Sequence, residues 1–207
     1  MNNRWNRIVY KIWSPFYDKL FNSGPFLSTR KKLFQENTFD RTQNILFVGV
    51  GTGADLEQIN YADLNITAID YSPEMIERAR KKFRESSIQF KEMDALNMSF
   101  DNNQFDIIIG SLILSVVPDA DKCFKEMIRV LKQGGEIILF NKFSPKGKEP
   151  SPFKKVIRPI IKLLGTDIGL NFESLHERHK EILSVTEDSP LMYKGMYRKI
   201  VIRKIYT

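Results

Sequence analysis

The sequence predicts an α/β protein: a doubly wound, mostly parallel seven-stranded sheet with an antiparallel C-terminal edge hairpin. Three observations predict it. Short apolar runs alternate with amphipathic helices from Asn44 to Phe143, and a glycine-rich turn follows the first run. Two β-rich runs near the end of the chain have no helical pattern between them.

Asn44–Gly49 (NILFVG) is a short apolar run after its first residue and is closed by glycine, as a strand buried on both faces would be. Asn65–Asp70 (NITAID) is a second such run. Ser72 before Pro73 and Glu74 reads as an N-cap followed by proline in the first turn, and Met75, Ile76, Ala79 and Phe83 keep helical spacing. Ser87–Phe90 is a short third strand and Phe105–Ser111 (FDIIIGS) a fourth. Asp119–Lys132 is helical, with Phe124, Met127, Ile128 and Leu131 on one face and Gly134-Gly135 closing it. Glu136–Phe140 (EIILF) is the fifth strand. Strands joined by helices lie parallel with right-handed crossovers. Glu181–Thr186 and Tyr197–Tyr206 are instead joined by a loop holding Pro190 and Gly195, and so pair antiparallel.

The 207 residues fit one domain, read as an N-terminal segment 1–41, a core 42–143 and a closing segment 144–207. A single cysteine, Cys123, excludes a disulfide framework and fits a reducing, cytoplasmic compartment. No secretory leader is read at the start, and no window approaches the ~20 apolar residues of a bilayer span. The net charge of +7 favours an anionic partner, either nucleic acid or a membrane surface. Two basic amphipathic stretches fit the membrane, and the same pattern fits a lid helix packed on the domain or ordinary surface helices. Trp5, Ile8, Val9, Ile12, Trp13, Phe16 and Leu20 share one helical face, with Arg4, Arg7 and Lys11 off it. Phe153, Val156, Ile157, Ile160 and Leu164 form another such face, opposite Lys154, Lys155, Arg158 and Lys162. Each Lys or Arg near an anionic surface contributes about 1 kcal/mol.

The sharpest constellation is Val48-Gly49-Val50-Gly51-Thr52-Gly53, after the first strand and before an expected helix. Glycines let the backbone approach a ligand, and a helix N-terminus behind them offers free N–H groups. With Ala54 the run also satisfies the dinucleotide fingerprint. Asp70 ends the second strand, where a carboxylate accepts both hydroxyls of a ribose, and Asp94 follows the third, where one receives an adenine amino group.

Together with Phe100–Asp106, Val116-Val117-Pro118-Asp119 and Leu131–Glu136, this order resembles the class I S-adenosylmethionine-dependent methyltransferases from about Asn44 to Phe143. The flanks are similar to one family among them. Tyr10-Lys11-Ile12-Trp13-Ser14-Pro15-Phe16-Tyr17-Asp18 looks like the Tyr-x-x-Trp-Ala-Pro-x-Tyr-Asp opening of soluble bacterial phosphatidylethanolamine N-methyltransferases. Val117-Pro118-Asp119, Gly134–Leu139 and Asn141-Lys142-Phe143 also match that family.

Motif and resemblance together imply S-adenosyl-L-methionine as cofactor, held by Tyr17, Gly49, Val50, Gly51, Thr52, Gly53, Asp70, Tyr71, Met75, Asp94, Ala95 and Ser111. An amine acceptor must lose a proton, and Tyr10, Asp18 or Asn141 could orient its N–H groups or carry that proton to water; the resemblance implies Tyr10 as the residue positioning the phospholipid substrate. Two positions depart from the family. Phe47 stands where an acidic residue is usual near the methionine end of the cofactor, and Lys142 stands where histidine is frequent.

A soluble small molecule or a quinone-type precursor fits the same cofactor motifs as methyl acceptor, and a cofactor-binding regulator or membrane adaptor with a decayed site is the non-enzymatic reading. Nucleic acid is not expected, because Gly110-Ser111-Leu112-Ile113 lacks the Asn/Asp-Pro-Pro-aromatic run that holds a base. His176 and His179 have no third ligand nearby, so no metal is expected.

Overall fold

A computed structural model of the chain describes residues 23–35, 38–144 and 169–205. Both basic amphipathic stretches, with Tyr10, Tyr17 and Asp18, lie outside the described residues. In chain order the elements are α1 (Gly24–Gln35), β1 (Asn44–Val48), β2 (Asn65–Asp70), α2 (Pro73–Lys82), β3 (Gln89–Glu92), β4 (Phe105–Ser111), α3 (Ala120–Val130), β5 (Leu131–Lys142), α4 (Phe172–Glu177), β6 (Leu183–Met192) and β7 (Tyr197–Lys204).

The seven strands form one sheet in the order β3-β2-β1-β4-β5-β7-β6. β1 to β5 are parallel, and β7 pairs antiparallel with both β5 and β6. The expected hairpin is therefore present, with β6 outermost and β7 threaded inside the sheet. Only β7 runs against the other strands.

Strand alternation sends side chains to two apolar layers. Ile45, Phe47, Ile66, Ala68, Ile107 and Ile109 pack with Leu33 and Phe34 of α1 and with Ile76 and Ala79 of α2. On the other face Leu46, Ile108, Ile137, Leu139, Ile200 and Ile202 meet Phe124, Met127 and Ile128 of α3 and Phe172 and Leu175 of α4. Each fully buried Leu, Ile or Phe here contributes about 1.5–3 kcal/mol. Cys123 is fully buried in the second layer, and burial pushes its thiol up, away from the reactive thiolate.

The caps follow the sequence. Ser72 Oγ accepts from Met75 N–H at 3.3 Å, Pro73 opens α2, and Arg80, Lys81 and Lys82 occupy its negative C-terminal end. Asp119 caps α3 by accepting from Lys122 N–H at 2.9 Å. The other end of α3 is closed from a distance. Lys204 Nζ donates to Ile128 O at 2.9 Å, to Leu131 O at 2.8 Å and to Asn103 Oδ1 at 3.0 Å.

Two expectations are corrected. No α-helix follows the glycine loop: Gly51–Asp55 is a run of turns leading only into a 3-10 turn at Leu56–Gln58. The segment is too short for more, since another turn follows at Ala62-Asp63 and β2 begins at Asn65. Gly134-Gly135 do not close α3 either. Leu131 is already extended and pairs with Phe105, and the register then jumps to Ile107 against Glu136. The glycines lie in that bulge, where Gly134 has φ +75° and a Cβ on Gly135 would stand 2.8 Å from Asp106 O.

Candidate active site

The parallel strands deliver their C-terminal ends to one side of the sheet, where an open α/β fold forms its ligand crevice. Gly49 N–H and Val50 N–H both donate to Ile69 O, at 2.9 and 3.0 Å, which folds the loop after β1 over the end of β2. Met93 N–H donates to Asp70 O at 2.9 Å and carries the chain from β3 past the same point. The pocket these turns enclose is lined by Gly49, Gly51, Asp70, Tyr71, Met75, Asp94, Ala95 and Ser111 among the expected residues. Val50, Thr52 and Gly53 stand outside that lining. Val50 and Thr52 are buried behind it, and a Cβ on Gly53 would meet Phe83 Cε2 at 2.4 Å. They shape the loop.

Asp70 is the organising charge. Its Oδ2 accepts from Gly51 N–H at 2.9 Å and its Oδ1 from Ser72 N–H at 2.9 Å, so one carboxylate fixes both the glycine loop and the start of α2. Burial holds its pKa above the ordinary value of 3.8, against the opposing pull of these backbone donors. Asp94 Oδ1 accepts from Leu96 N–H at 2.9 Å, a local turn that sets the carboxylate at the pocket wall. Ser111 Oγ, at the end of β4, is buried with no hydrogen-bond partner among the described residues.

The remaining wall is mostly apolar, and its residues are not among the expected cofactor contacts. Ile69, Met93, Leu112, Ile113, Val117 and Pro118 complete much of it. Their sequence signal was present in the runs after β3 and β4, but apolar side chains in such runs read equally as core. Leu112 adopts φ +61°, a left-handed conformation that costs a non-glycine residue about 1–2 kcal/mol. Its N–H donates to Phe140 O at 2.6 Å, and Ser115 Oγ donates to its carbonyl at 2.9 Å. The strained turn brings Ile113 under Gly49, whose own φ is +73° and where a Cβ would stand 2.6 Å from Ile113 Cδ1. Only glycine fits there.

Phe47 is 1% exposed and belongs to the apolar layer under α1 and α2, outside the pocket lining. The side chain at this position contributes to the core and not to the pocket wall. Asn141, at the end of β5, is fully buried, and Lys142 follows it.

The pocket fits an adenosine-bearing cofactor. It offers a carboxylate at the end of β2, a second after β3, apolar walls between, and an orphaned hydroxyl at Ser111. Comparison with known proteins agrees. Residues 46–139 match the family model described as a methyltransferase domain. The chain is 29% identical to a phosphatidylethanolamine N-methyltransferase of Cereibacter sphaeroides over 91% of its own length and 92% of the relative's. It is 27% identical to a demethylmenaquinone methyltransferase of Lactobacillus johnsonii, over 93% of this chain and 84% of that one. The crystal structure of the [4+2]-cyclase SpnF superposes with a TM-score of 0.70 at 18% identity, covering 87% of this chain and 82% of that one, which establishes the fold alone. With a methyltransferase domain at residues 46–139 and a methyltransferase relative that aligns along nearly the whole chain, the chain is an S-adenosylmethionine-dependent methyltransferase of the class I fold.

Proposed function

We propose that the enzyme methylates the amine of a phospholipid headgroup of the phosphatidylethanolamine type. The observation that carries this reading is the likeness to the Cereibacter phosphatidylethanolamine N-methyltransferase along nearly the whole of both chains. The basic amphipathic stretches in the sequence, Trp5–Leu20 and Phe153–Leu164, support contact with an anionic membrane. In this reading access to lipid is peripheral, from the cytoplasmic face. No helix among the described residues is long and apolar enough to cross a membrane.

In this reading Asp70 accepts the ribose hydroxyls and Asp94, with Ala95, receives the adenine edge. Gly49 and Gly51 let the backbone approach the ligand, Tyr71 and Met75 flank it, and Ser111 Oγ supplies a polar contact from the end of β4. Tyr17 holds the carboxylate of the cofactor and Tyr10 the acceptor, as the family resemblance implies. When bound, the sulfonium supplies an activated methyl group. The protein's part is to hold the acceptor nitrogen in line with it and keep water out, which is worth up to about 7–11 kcal/mol.

A quinone-type acceptor is the second reading, favoured by the likeness to demethylmenaquinone methyltransferase. Radiolabelled methyl transfer separates the two. Label in the lipid fraction with phosphatidylethanolamine vesicles is expected. Label only with a reduced demethylmenaquinone-type acceptor would replace the first reading with the second.

A further inference from the structure

The turn between β6 and β7 departs from ordinary turn chemistry. Hairpin turns that need a positive φ place glycine, asparagine or aspartate there. Here Tyr193 has φ +49°, followed by Gly195 at +83°. A Cβ is disfavoured in that region, and a bulky side chain most of all. Tyr193 is also 58% exposed, the most exposed large apolar side chain among the described residues. The sequence around it, Leu191-Met192-Tyr193-Lys194-Gly195-Met196-Tyr197, is apolar but for one lysine and holds no carboxylate. A local conflict of this kind is where a functional site is to be sought.

The exposed ring is braced from within. Its centroid lies 5.7 Å from that of Tyr197, and Tyr197 in turn meets Phe26 of α1 edge-on at 5.5 Å and Phe140 of β5 at 6.0 Å. An aromatic column therefore runs from the buried layer under α1 out to solvent. Phe140 also ties the column to the cofactor pocket, because its carbonyl accepts at 2.6 Å from the N–H of Leu112 in the pocket wall. β7 is antiparallel to β5, and Tyr197 at its start pairs with Lys142 at the C-terminal end of β5. The tip thus stands on the side of the sheet where the crevice opens.

Charge and connectivity identify what the tip meets. Lys194 lies in the turn and Lys142 lies across from Tyr197, so the basic residues of this end match an anionic surface. Phe143 N–H donates to Met196 O at 2.8 Å, and Ser144 N–H donates to Leu170 O at 2.7 Å. These bonds set both ends of the run 145–168, which carries the basic amphipathic sequence Phe153–Leu164, beside the tip. Tyrosine is favoured at a membrane–water boundary, where its ring is apolar and its hydroxyl stays wet. We propose that the β6–β7 tip, with Tyr193 as its leading side chain, docks in the headgroup region of an anionic membrane and turns the crevice toward the bilayer. This inference rests on the phospholipid reading above for the bilayer as its partner. Its readout is binding rather than methyl transfer, so the two can fail separately.

Cys123 is the chain's one cysteine and is fully buried, so a cysteine introduced at the surface can be labelled alone. Ser87, exposed and just before β3, marks the opposite end of the sheet. Full-length Tyr193→Cys and Ser87→Cys are each labelled with a polarity-sensitive fluorophore and mixed with vesicles of phosphatidylethanolamine and phosphatidylglycerol. Emission from position 193 is expected to shift to the blue, and emission from position 87 to stay unchanged. No shift at 193, or an equal shift at both positions, would overturn the tip as the membrane contact. A shift at 193 that grows with protein concentration in the absence of vesicles would overturn it too, by making a second copy of the chain the occupant. Tyr193→Asn separates docking from folding, because asparagine tolerates the left-handed region. This variant is expected to keep its melting temperature and to bind S-adenosylhomocysteine within about twofold of wild type, while its affinity for the vesicles falls by about fivefold or more. Vesicle affinity within about twofold of wild type would overturn the proposal and leave the phospholipid reading standing. Tip-dependent binding with methyl transfer only to a quinol acceptor would uphold the tip and overturn the phospholipid reading.

Discussion

Asp70 couples architecture to ligand binding through one carboxylate. Its oxygens already hold Gly51 and Ser72, and in the proposed reading the ribose hydroxyls are received on the same group. Hydroxyl donors strengthen on the ionised form, so the sign of the pH dependence follows. The free protein holds Asp70 above the ordinary value of 3.8, and bound donors pull it back down. Affinity for S-adenosylhomocysteine is therefore full above the raised value and lost as pH falls through it. Calorimetry between mildly acid and neutral pH should show this loss beginning at higher pH than an ordinary aspartate allows. In Asp70→Asn the affinity at neutral pH should fall by about tenfold or more, and the acid-side dependence should flatten. An unchanged pH profile in that variant would assign the titration to another group. Glycine positions make a second prediction at this scale. Gly49→Ala and Gly53→Ala both place a Cβ under 3.0 Å from a packed side chain at positive φ. Both should destabilise by roughly 1–3 kcal/mol in urea melts. Gly49 and Asp70 were legible in the sequence because their chemistry is local: a turn needing positive φ and an acid closing a strand. Leu112 was not, since nothing in its neighbours announces that a β-strand ends there in a left-handed turn.

The helix α1 is tied to the turns after the glycine loop by a buried ion pair, Arg30 Nε to Asp55 Oδ1 at 2.6 Å, with side-chain exposures of 3% and 10%. Neither residue draws attention in the sequence, because a salt bridge between positions 25 apart has no local pattern. Asp55→Ala removes a charged hydrogen-bond partner from the buried guanidinium and should lower stability by about 1.5–3 kcal/mol. The double change Arg30→Met with Asp55→Leu should recover much of that loss in the same urea melts. A double variant no better than the single would mean that Arg30 is held mainly by its other contacts. The strands and capped helices were readable for the opposite reason, since Ser72-Pro73 and the apolar runs carry their instructions within a few residues. The missing helix after the loop and the bulge at Gly134-Gly135 depend on how much chain separates fixed points, which periodicity does not record.

For the whole molecule, the excess of seven positive charges sets a long-range preference for anionic surfaces. Sedimentation with vesicles containing anionic lipid should show binding that weakens steadily as salt shortens the screening length from about 10 Å at 0.1 M. Salt-insensitive binding would shift the weight from charge to the apolar faces.

The position of β7 governs when this fold can exist at all. Of the seven strands it leaves the ribosome last, yet it lies inside the sheet and bonds along both of its edges, to β5 and to β6. Until Tyr197–Lys204 has been made, β5 presents Ile137 to Phe140 along an open edge, the kind of template on which nascent chains aggregate. A stalled or clipped product would lose two hydrogen-bonded ladders at once, along with the Lys204 ammonium that closes α3. The parallel half of the sheet can assemble during synthesis, but its completion belongs to the moments after Lys204 has emerged.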